Sequence, residues 1–301
     1  MNIKPLVSIV IPCYNHAQFV QESIQSVIDQ DYENIELIII DDGSSDNSVE
    51  IIQQLMPACQ NRFKSFDFIS RPNRGLSATL NEGISLAQGE IIGFCSSDDA
   101  YHELKVSSQV AFFNANPDVG FCYTQTYVTD DNSMVLEKQT YQANKGLRDN
   151  VTFEDVLTFK VHFPVTGMYR AHFLKDVLKG FDEVLSAEDY DISLRILSIS
   201  KAGYIKDKLY YYRYPGAIGG SRKRMPMRVD VSESHLKTIS KYKGNPCYKR
   251  AVTEWNYRRL VFFSSYRETK IYALKGMLSC IRCFFRPGFI KGIVKIILIW
   301  E

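Results

Sequence analysis

Four short stretches of this 301-residue sequence concentrate carboxylates, hydroxyls and turn formers: Pro12-Cys13-Tyr14-Asn15, Asp41-Asp42-Gly43-Ser44, Ser96-Ser97-Asp98-Asp99 and Ser186-Ala187-Glu188-Asp189-Tyr190-Asp191. Neighbouring carboxylates repel one another unless a cation or a proton lies between them. Hard divalent ions bind one or two carboxylates and complete their shell with water and phosphate oxygens. A nucleoside diphosphate bridged by such an ion fits the acids at 98 and 99, and the ion would help a diphosphate to leave. Each stretch also has a plainer alternative. Asp42–Asp46 could be a turn that caps the next helix, Asp98-Asp99 the start of a loop, and Ser186 or Asp189 a helix cap. No GxxxxGK[ST] occurs, and no GxGxxG follows the first apolar run, which argues against a P-loop ATPase and a dinucleotide oxidoreductase.

The elements around these stretches decide whether they can meet. Leu6–Ile11, Glu36–Ile40, Phe66–Ser70 and Glu90–Cys95 read as short, almost wholly apolar strands. Between them lie Ala17–Gln30, with Val20, Ile24, Val27 and Ile28 on one helical face, a helix carrying Val49, Ile52 and Leu55, and Leu76–Ala87. This alternation predicts a parallel sheet covered by helices on both faces. Ligands of such sheets bind beyond the carboxyl ends of the strands, so the first three stretches should open on one rim. Past Asp99 the pattern loosens. It predicts a helix over Glu103–Asn116, one or two strands over Val119–Thr129, a polar loop over Asp130–Asn150, mixed helical segments over Phe153–Lys179 and Glu188–Ser200, and an aromatic strand over Tyr204–Tyr214. On the helix after Ala187, Asp189 shares a face with Ile192 and Ile196, so it is expected to point into the crevice while Asp191 points elsewhere. A carboxylate there suits a general base that takes a proton from an attacking hydroxyl.

Composition narrows the class. Hydrophobic residues make up 45%, and the net charge is +2, so neither disorder nor global attraction to nucleic acid is expected. The charge is unevenly spread: residues 201–301 hold 22 Lys and Arg against 6 Asp and Glu, a balance of +16, and the first 200 residues carry −14. The seven cysteines follow no disulfide framework, Cys280 and Cys283 lack a second zinc-binding pair, and free thiols fit a reducing cytoplasm. Met1–Pro5 shows no export-signal pattern, and no apolar run is long enough to span a membrane.

The segments VSIVIPCYN (7–15), ELIIIDDGSSD (36–46), RPNRGLSATLNEGISLAQGEIIGFCSSDD (71–99) and AEDYDISLRI (187–196) together resemble family 2 glycosyltransferases of the GT-A fold, over about residues 5–215. The resemblance implies an α/β fold, with a Rossmann-like, mostly parallel sheet flanked by helices and a basic helical C-terminal extension. It places a glycosyltransferase domain at 1–215, with a nucleotide-sugar half at about 1–100 and an acceptor half at about 101–215, ahead of a basic helical region at 216–301. By the same likeness Pro12, Tyr14 and Asn15 line the nucleoside pocket, and Asp42 bonds the base. Asn73, Arg74 and Gly75 form the loop near base and ribose, and Asn81 is structural. Asp98 and Asp99 serve metal and diphosphate, with Asp99 the better ligand for Mn2+ or Mg2+. Asp189 is the catalytic base, and Glu188, His162 and Arg213 are further candidates for acceptor or diphosphate contact. For His162 a satisfied structural role is the preferred reading. The implied reaction is inverting transfer from a nucleotide diphosphate sugar, expected to be UDP-linked, to a hydroxyl of a growing, lipid-linked capsule, O-antigen or lipopolysaccharide glycan.

Two departures from the family pattern stand out. Ser96 occupies the place of an Asp in many relatives, and no His follows Tyr212-Arg213-Tyr214-Pro215. Arg213 or the Arg222-Lys223-Arg224 cluster would have to take over any ligand contact made by that His. Two rival classes remain: a sugar-phosphate nucleotidyltransferase and a non-catalytic nucleotide-sugar-binding module. The first should carry a Gly-rich basic loop after strand one, which Pro12–His16 lacks, and the paired acids at 98–99 and 188–189 argue against the second. In the tail, Ile290, Ile293, Val294 and Ile297 line one side of a helix, with Lys291 and Lys295 on another and Trp300 at its end. This pattern suits an anionic membrane surface, which predicts a cytoplasmic protein held peripherally on the inner face of the cell membrane. A helical lid with solvated lysines is the alternative. An oligomer is compatible with the composition.

Overall fold

The structure, a computed structural model, describes residues 4–214 and 227–299. The chain forms two compact units: Met1–Asn150, Phe163–Glu183 and Arg195–Gly219 make the first, and Val151–His162, Val184–Leu194 and Gly220–Glu301 the second. The sequence reading drew one boundary at 215, whereas two earlier segments also belong with the C-terminal helices. The expected break at Pro215–Ser221 and the Arg222-Lys223-Arg224 cluster lie outside the described residues.

The first unit begins as the alternation predicts. Strands β1 (Val7–Cys13), β2 (Ile35–Asp41), β3 (Ser65–Ser70) and β4 (Ile91–Phe94) alternate with helices α1 (Val20–Ile28), α2 (Ser48–Arg62) and α3 (Leu76–Leu86). β2 lies parallel between β1 and β3, and β4 runs parallel to β1 on its other side. Every residue of β2 is buried, as a central strand covered on both faces requires. Four further strands complete the sheet: β5 (Ala100–Tyr101), β6 (Val119–Thr129), β7 (Met168–Arg170) and β8 (Lys201–Arg213). The order is β3-β2-β1-β4-β7-β6-β8-β5. β7 is antiparallel to both β4 and β6, while β6 and β8 are parallel.

Two expectations for the middle of the chain need correction. The mixed helical segment Phe153–Lys179 contains strand β7, three residues long and too short for its period to register. The polar loop Asp130–Asn150 contains helix α5 (Glu137–Asn144), whose polar residues are the ones that hold it to the sheet. Val128 N donates to Thr140 Oγ1 at 2.9 Å, and Asn144 Nδ2 donates to Thr126 O at 2.8 Å. The predicted helix at Glu103–Asn116 is present as α4 (Lys105–Ala115). Its first residue is a fully buried lysine that lies against the rings of Tyr101 and Tyr210. Its Nζ donates to Gln109 Oε1 and to Thr166 O, so the cation is surrounded by acceptors and fixes the 163–167 loop.

The second unit is helical: α6 (Phe153–Leu157), most of α7 (Glu188–Leu197), α8 (Val229–Ser240), α9 (Tyr248–Phe263), α10 (Lys270–Ser279) and α11 (Pro287–Leu298). Thr152 and Asp155 form a reciprocal capping box at the start of α6. Leu260, Cys280, Cys283 and Phe289 form a buried cluster joined by Ile293 and Ile296. Ile293 therefore faces inward, contrary to the helical stripe expected from sequence.

Helix α3 lies close on β1 because Gly83 carries no side chain. A Cβ there would sit 2.4 Å from Val10 Cγ1, on a stiff β-branched residue that cannot swing aside. Gly83→Ala is expected to cost about 1–3 kcal/mol. A thermal melt within error of the wild type would show that the α3–β1 spacing is wrong.

Candidate active site

At the rim of the first unit, β1 and β2 end level with each other, Cys13 opposite Asp41, and their loops are tied to each other. Asn15 adopts a left-handed backbone (φ 53°), which asparagine tolerates better than most residues. Its N–H donates to Ser44 Oγ at 2.9 Å, and its Oδ1 accepts from Ser45 N at 2.7 Å. Asn15 is thus a clamp between loops, while Tyr14, 49% exposed, stands beside it and Pro12 lies just inside the end of β1.

The paired acids after β2 have separate tasks. Asp41 Oδ2 accepts from the N–H groups of Gly43 and Ser44 at 3.2 and 3.1 Å and so shapes its own turn. Asp42 is buried and turned toward the loop before α3. It accepts from Arg74 N at 2.8 Å and Gly75 N at 2.9 Å, and it pairs with the Arg71 guanidinium. Arg71 also reaches Glu82 and Thr79. Sequence reasoning singled out Asn73, Arg74 and Gly75 and passed over Arg71, although an arginine two residues before Asn73 was in view. The loops approach so closely that a Cβ on Gly43 (φ +78°) would lie 2.7 Å from Asn73 N. Asn73 and Arg74 are exposed, so their side chains remain open toward the rim.

The acids after β4 also differ from each other. Asp99 is buried, accepting from Tyr210 Oη at 2.9 Å and from Arg213 N at 2.8 Å. Burial and the Asp98 charge push its carboxyl up to about 8, against the lowering effect of those two donors. Asp98 is more open, with 28% of its side chain exposed and His16 Nε2 at 3.8 Å from Oδ2. His16 Nδ1 lies 2.8 Å from Ser97 Oγ. No periodic or motif signal marks His16, which sits just past the strand-end cluster.

Arg213 needs correction. Its guanidinium was a candidate for diphosphate contact, but it is buried and its donors are engaged within the protein. It donates to Asp98 O at 2.8 Å, Asp130 O at 2.7 Å, Glu22 Oε2 at 2.5 Å and Ser133 Oγ at 3.1 Å, and it stacks over Phe19. Arg213 braces the Asp98-Asp99 backbone and cannot also reach a ligand.

The second unit holds the other acids. The expected division of Asp189 and Asp191 is reversed in burial: Asp191 is fully buried and pairs with Lys241 at 2.7 Å, whereas 44% of the Asp189 side chain is exposed. Asp189 does share the helical face of Ile192 and Ile196, but it stands in the first turn of α7, before the packed part of that face. Its Oδ1 accepts from Tyr190 N at 2.7 Å, and its Oδ2 lies 3.3 Å from His162 Nε2. Burial tends to raise the Asp189 carboxyl, but the His162 hydrogen bond and charge and the Tyr190 N–H outweigh it and hold the carboxyl below its ordinary value. Burial and the Asp189 charge push Glu188 the other way, up to about 7. Adjacent carboxylates driven apart in this way are the usual basis for separate acid and base duties. His162 is 60% exposed, which corrects its reading as a satisfied structural histidine.

Among the described residues no three His, Cys, Asp or Glu side chains gather as a ready metal cage, and no helix is long and apolar enough to cross a membrane.

Comparison with known proteins adds the family. The sequence profile of "Glycosyl transferase family 2" matches residues 8–178, more than half of the chain. The minor teichoic acid biosynthesis protein GgaA of Bacillus subtilis (strain 168) is 31% identical over 249 residues, which cover 80% of this chain and 52% of GgaA. S. aureus TarS 1–349 in complex with UDP-GlcNAc has a similar fold, with a TM-score of 0.65 and 18% identity over 97% of this chain and 88% of that one. So has the mannosyltransferase PcManGT from Pyrobaculum calidifontis in complex with GDP-Man and Mn2+, with a TM-score of 0.64 and 14% identity over 99% and 88%. The chain spans about half the length, or less, of the curated relatives it matches. With the strand order and the four motifs already described, these matches lead to one statement: the chain belongs to glycosyl transferase family 2.

Proposed function

We propose that this chain transfers a sugar, with inversion, from a UDP-sugar to a hydroxyl of a growing, lipid-linked surface glycan. The observation that carries the proposal is the contrast between the two exposed acids and their buried neighbours. Asp98 and Asp189 keep open carboxylates, while Asp42, Asp99 and Asp191 are consumed by the protein. Tyr14, Asn73 and Arg74 offer exposed groups to a nucleoside beside the anchored Asp42. The teichoic-acid relative and the UDP-GlcNAc-bound neighbour support a nucleotide-sugar donor and a polymer acceptor. The rival nucleotidyltransferase and binding-module readings gain no observation.

Asp98 fits a divalent ion as well as a single open carboxylate can. Mg2+ and Mn2+ are held by one or two carboxylates with substrate phosphates, so a ready cage is not required. On this reading Asp98 is the first ligand, a change from the sequence preference for Asp99, whose two oxygens already accept protein donors. Asp99, beside it, keeps the strand end in place, and the Mn2+-bound neighbour supports such an ion. Bound there, the ion would neutralise the departing diphosphate. Asp189 takes the proton from the acceptor hydroxyl as that oxygen attacks the anomeric carbon, and the electron pair of the broken bond leaves with the diphosphate.

The second unit supports the membrane partner. On α10 and α11 and the turn between them, Ile271, Leu278, Ile281, Phe285, Ile297 and Leu298 are exposed, Phe285 by 92%. Exposed Lys275, Arg282 and Lys291 accompany them. Exposed apolar side chains accompanied by cations on the same helices fit an anionic leaflet. The buried side of α11 also packs as a lid would, so the helix meets both expectations. We place the protein on the cytoplasmic side of the cell membrane on this ground.

Three measurements check the proposal. UDP-GlcNAc with Mn2+ should raise the melting temperature, and Asp98→Asn should remove the Mn2+-dependent part of that rise. No response to any UDP- or GDP-sugar with Mn2+ would overturn the donor assignment. Asp189→Asn should keep the thermal response yet lose at least ~100-fold in sugar transfer, the usual contribution of a general base. In flotation with phosphatidylglycerol vesicles the protein should rise with the lipid. An Ile281→Glu, Phe285→Glu variant should bind at least ~10-fold more weakly, since each lost apolar insertion is worth about 1.5–3 kcal/mol. Wild-type protein left at the bottom of the gradient would refute the membrane surface.

A further inference from the structure

We propose that His162 is a positioning residue for Asp189: its ring N–H holds Oδ2 while the Tyr190 N–H holds Oδ1, leaving a fixed lone pair for the acceptor hydroxyl. This inference rests on the reading of Asp189 as the base. The geometry lies wholly within the second unit. His162 Nε2 stands 3.3 Å from Asp189 Oδ2, and the backbone N–H of Tyr190 stands 2.7 Å from Oδ1. The helix start that carries Asp189 is itself pinned, because Ala187 N donates to Ser234 Oγ at 3.1 Å and Ser193 Oγ returns to Asp189 O at 2.6 Å. On the other side, Val161 N donates to Asp155 O at 3.2 Å, next to the capped turn of α6.

Stability does not account for the pair. Both side chains are well exposed, 60% for His162 and 44% for Asp189, and exposed ion pairs contribute little to folding. An exposed imidazole laid against an exposed carboxylate is instead an arrangement that orients the carboxylate. It also favours the ionised form, which is the form that can accept a proton. The titratable and charged groups facing the pair are Glu188 on the same helix, His235 of α8 between the rings of Phe159 and Tyr190, and Arg258 of α9 over Phe159. Burial and the Arg258 charge push His235 down to about 3, so it stays neutral through the working range. Lys160 is occupied with Asp155 at 3.1 Å.

The sign follows from the causes. Removing the imidazole takes away the partner that most lowers the Asp189 carboxyl, so its titration must move to higher pH. The test uses the full chain and His162→Ala, with His162→Gln as the conservative variant that keeps an amide donor. Carbon-13 NMR of the aspartate carboxyls, assigned with Asp189→Asn, should show Asp189 titrating at higher pH in His162→Ala and close to wild type in His162→Gln. This readout needs no donor. With UDP-GlcNAc and Mn2+, kcat/KM of His162→Ala should fall about 10–100-fold, mainly in kcat, as expected for a misplaced reacting group. The acid limb of its pH profile should move to higher pH, and Glu188→Gln controls for the neighbouring carboxyl. An Asp189 titration unchanged in His162→Ala would overturn the inference. If Asp189→Asn keeps wild-type turnover while the NMR shift appears, the pairing stands and the reading of Asp189 as the base fails.

Discussion

A carboxylate removed from water has to be surrounded by donors, and the loops at the carboxyl ends of β1, β2 and β4 are built to satisfy that requirement. Asp41 collects the N–H groups of its own turn on Oδ2, while its Oδ1 is left without a protein donor among the described residues. Asp42 collects those of Arg74 and Gly75 together with the Arg71 guanidinium. Asp99 takes a phenol from β8 and a backbone N–H from the same strand. Asp42 and Asp99 in this way organise chain that is distant in sequence. The open acid, Asp98, owes its position to these closed neighbours, because it lies between a buried serine and a buried aspartate and its own carbonyl is braced by Arg213.

This division explains what could be read in advance. The first four strands and three helices were legible because parallel strands buried on both faces are apolar almost without interruption, and their crossover helices carry a clear 3.6-residue stripe. The motif segments were legible because strand ends in such sheets are where ligands bind. Strand β7 was not, since three residues cannot establish a period. Helix α5 was not, because Thr140 and Asn144 dock through hydrogen bonds, which leave no hydrophobic pattern. The pairing of Arg71 with Asp42, of His16 with Asp98 and of Arg213 with Glu22 spans 29 to 191 positions, and spacing along the chain carries no information about it. For Asp189 and Asp191 the expectation concerned direction along α7, whereas in the structure Asp191 is the covered acid and Asp189 the open one. Helical phase fixes direction, and only the packing of Lys241 decides which acid is covered.

The second unit shows a different economy. Its helices α9, α10 and α11 approach closely through glycine: a Cβ on Gly292 would lie 2.6 Å from Leu260 Cγ, and one on Gly276 2.7 Å from Asn256 O. Arg286 joins in by pairing with Glu254 and lying 3.6 Å from the Tyr257 ring centre. Hydrophobic residues are nonetheless plentiful enough that one set fills the interior and another remains outside. A simple amphipathic pattern would have supplied only the first set.

Arg213 has a consequence for anyone who would redesign this protein. Its planar fork meets two carbonyls, a carboxylate and a hydroxyl in fixed directions while its face rests on Phe19. Lysine matches the charge but supplies neither the fork nor the flat face. A combinatorial library randomised at this codon therefore has a single solution, whereas the neighbouring Tyr214, nearly half exposed, is a place where diversity can be introduced.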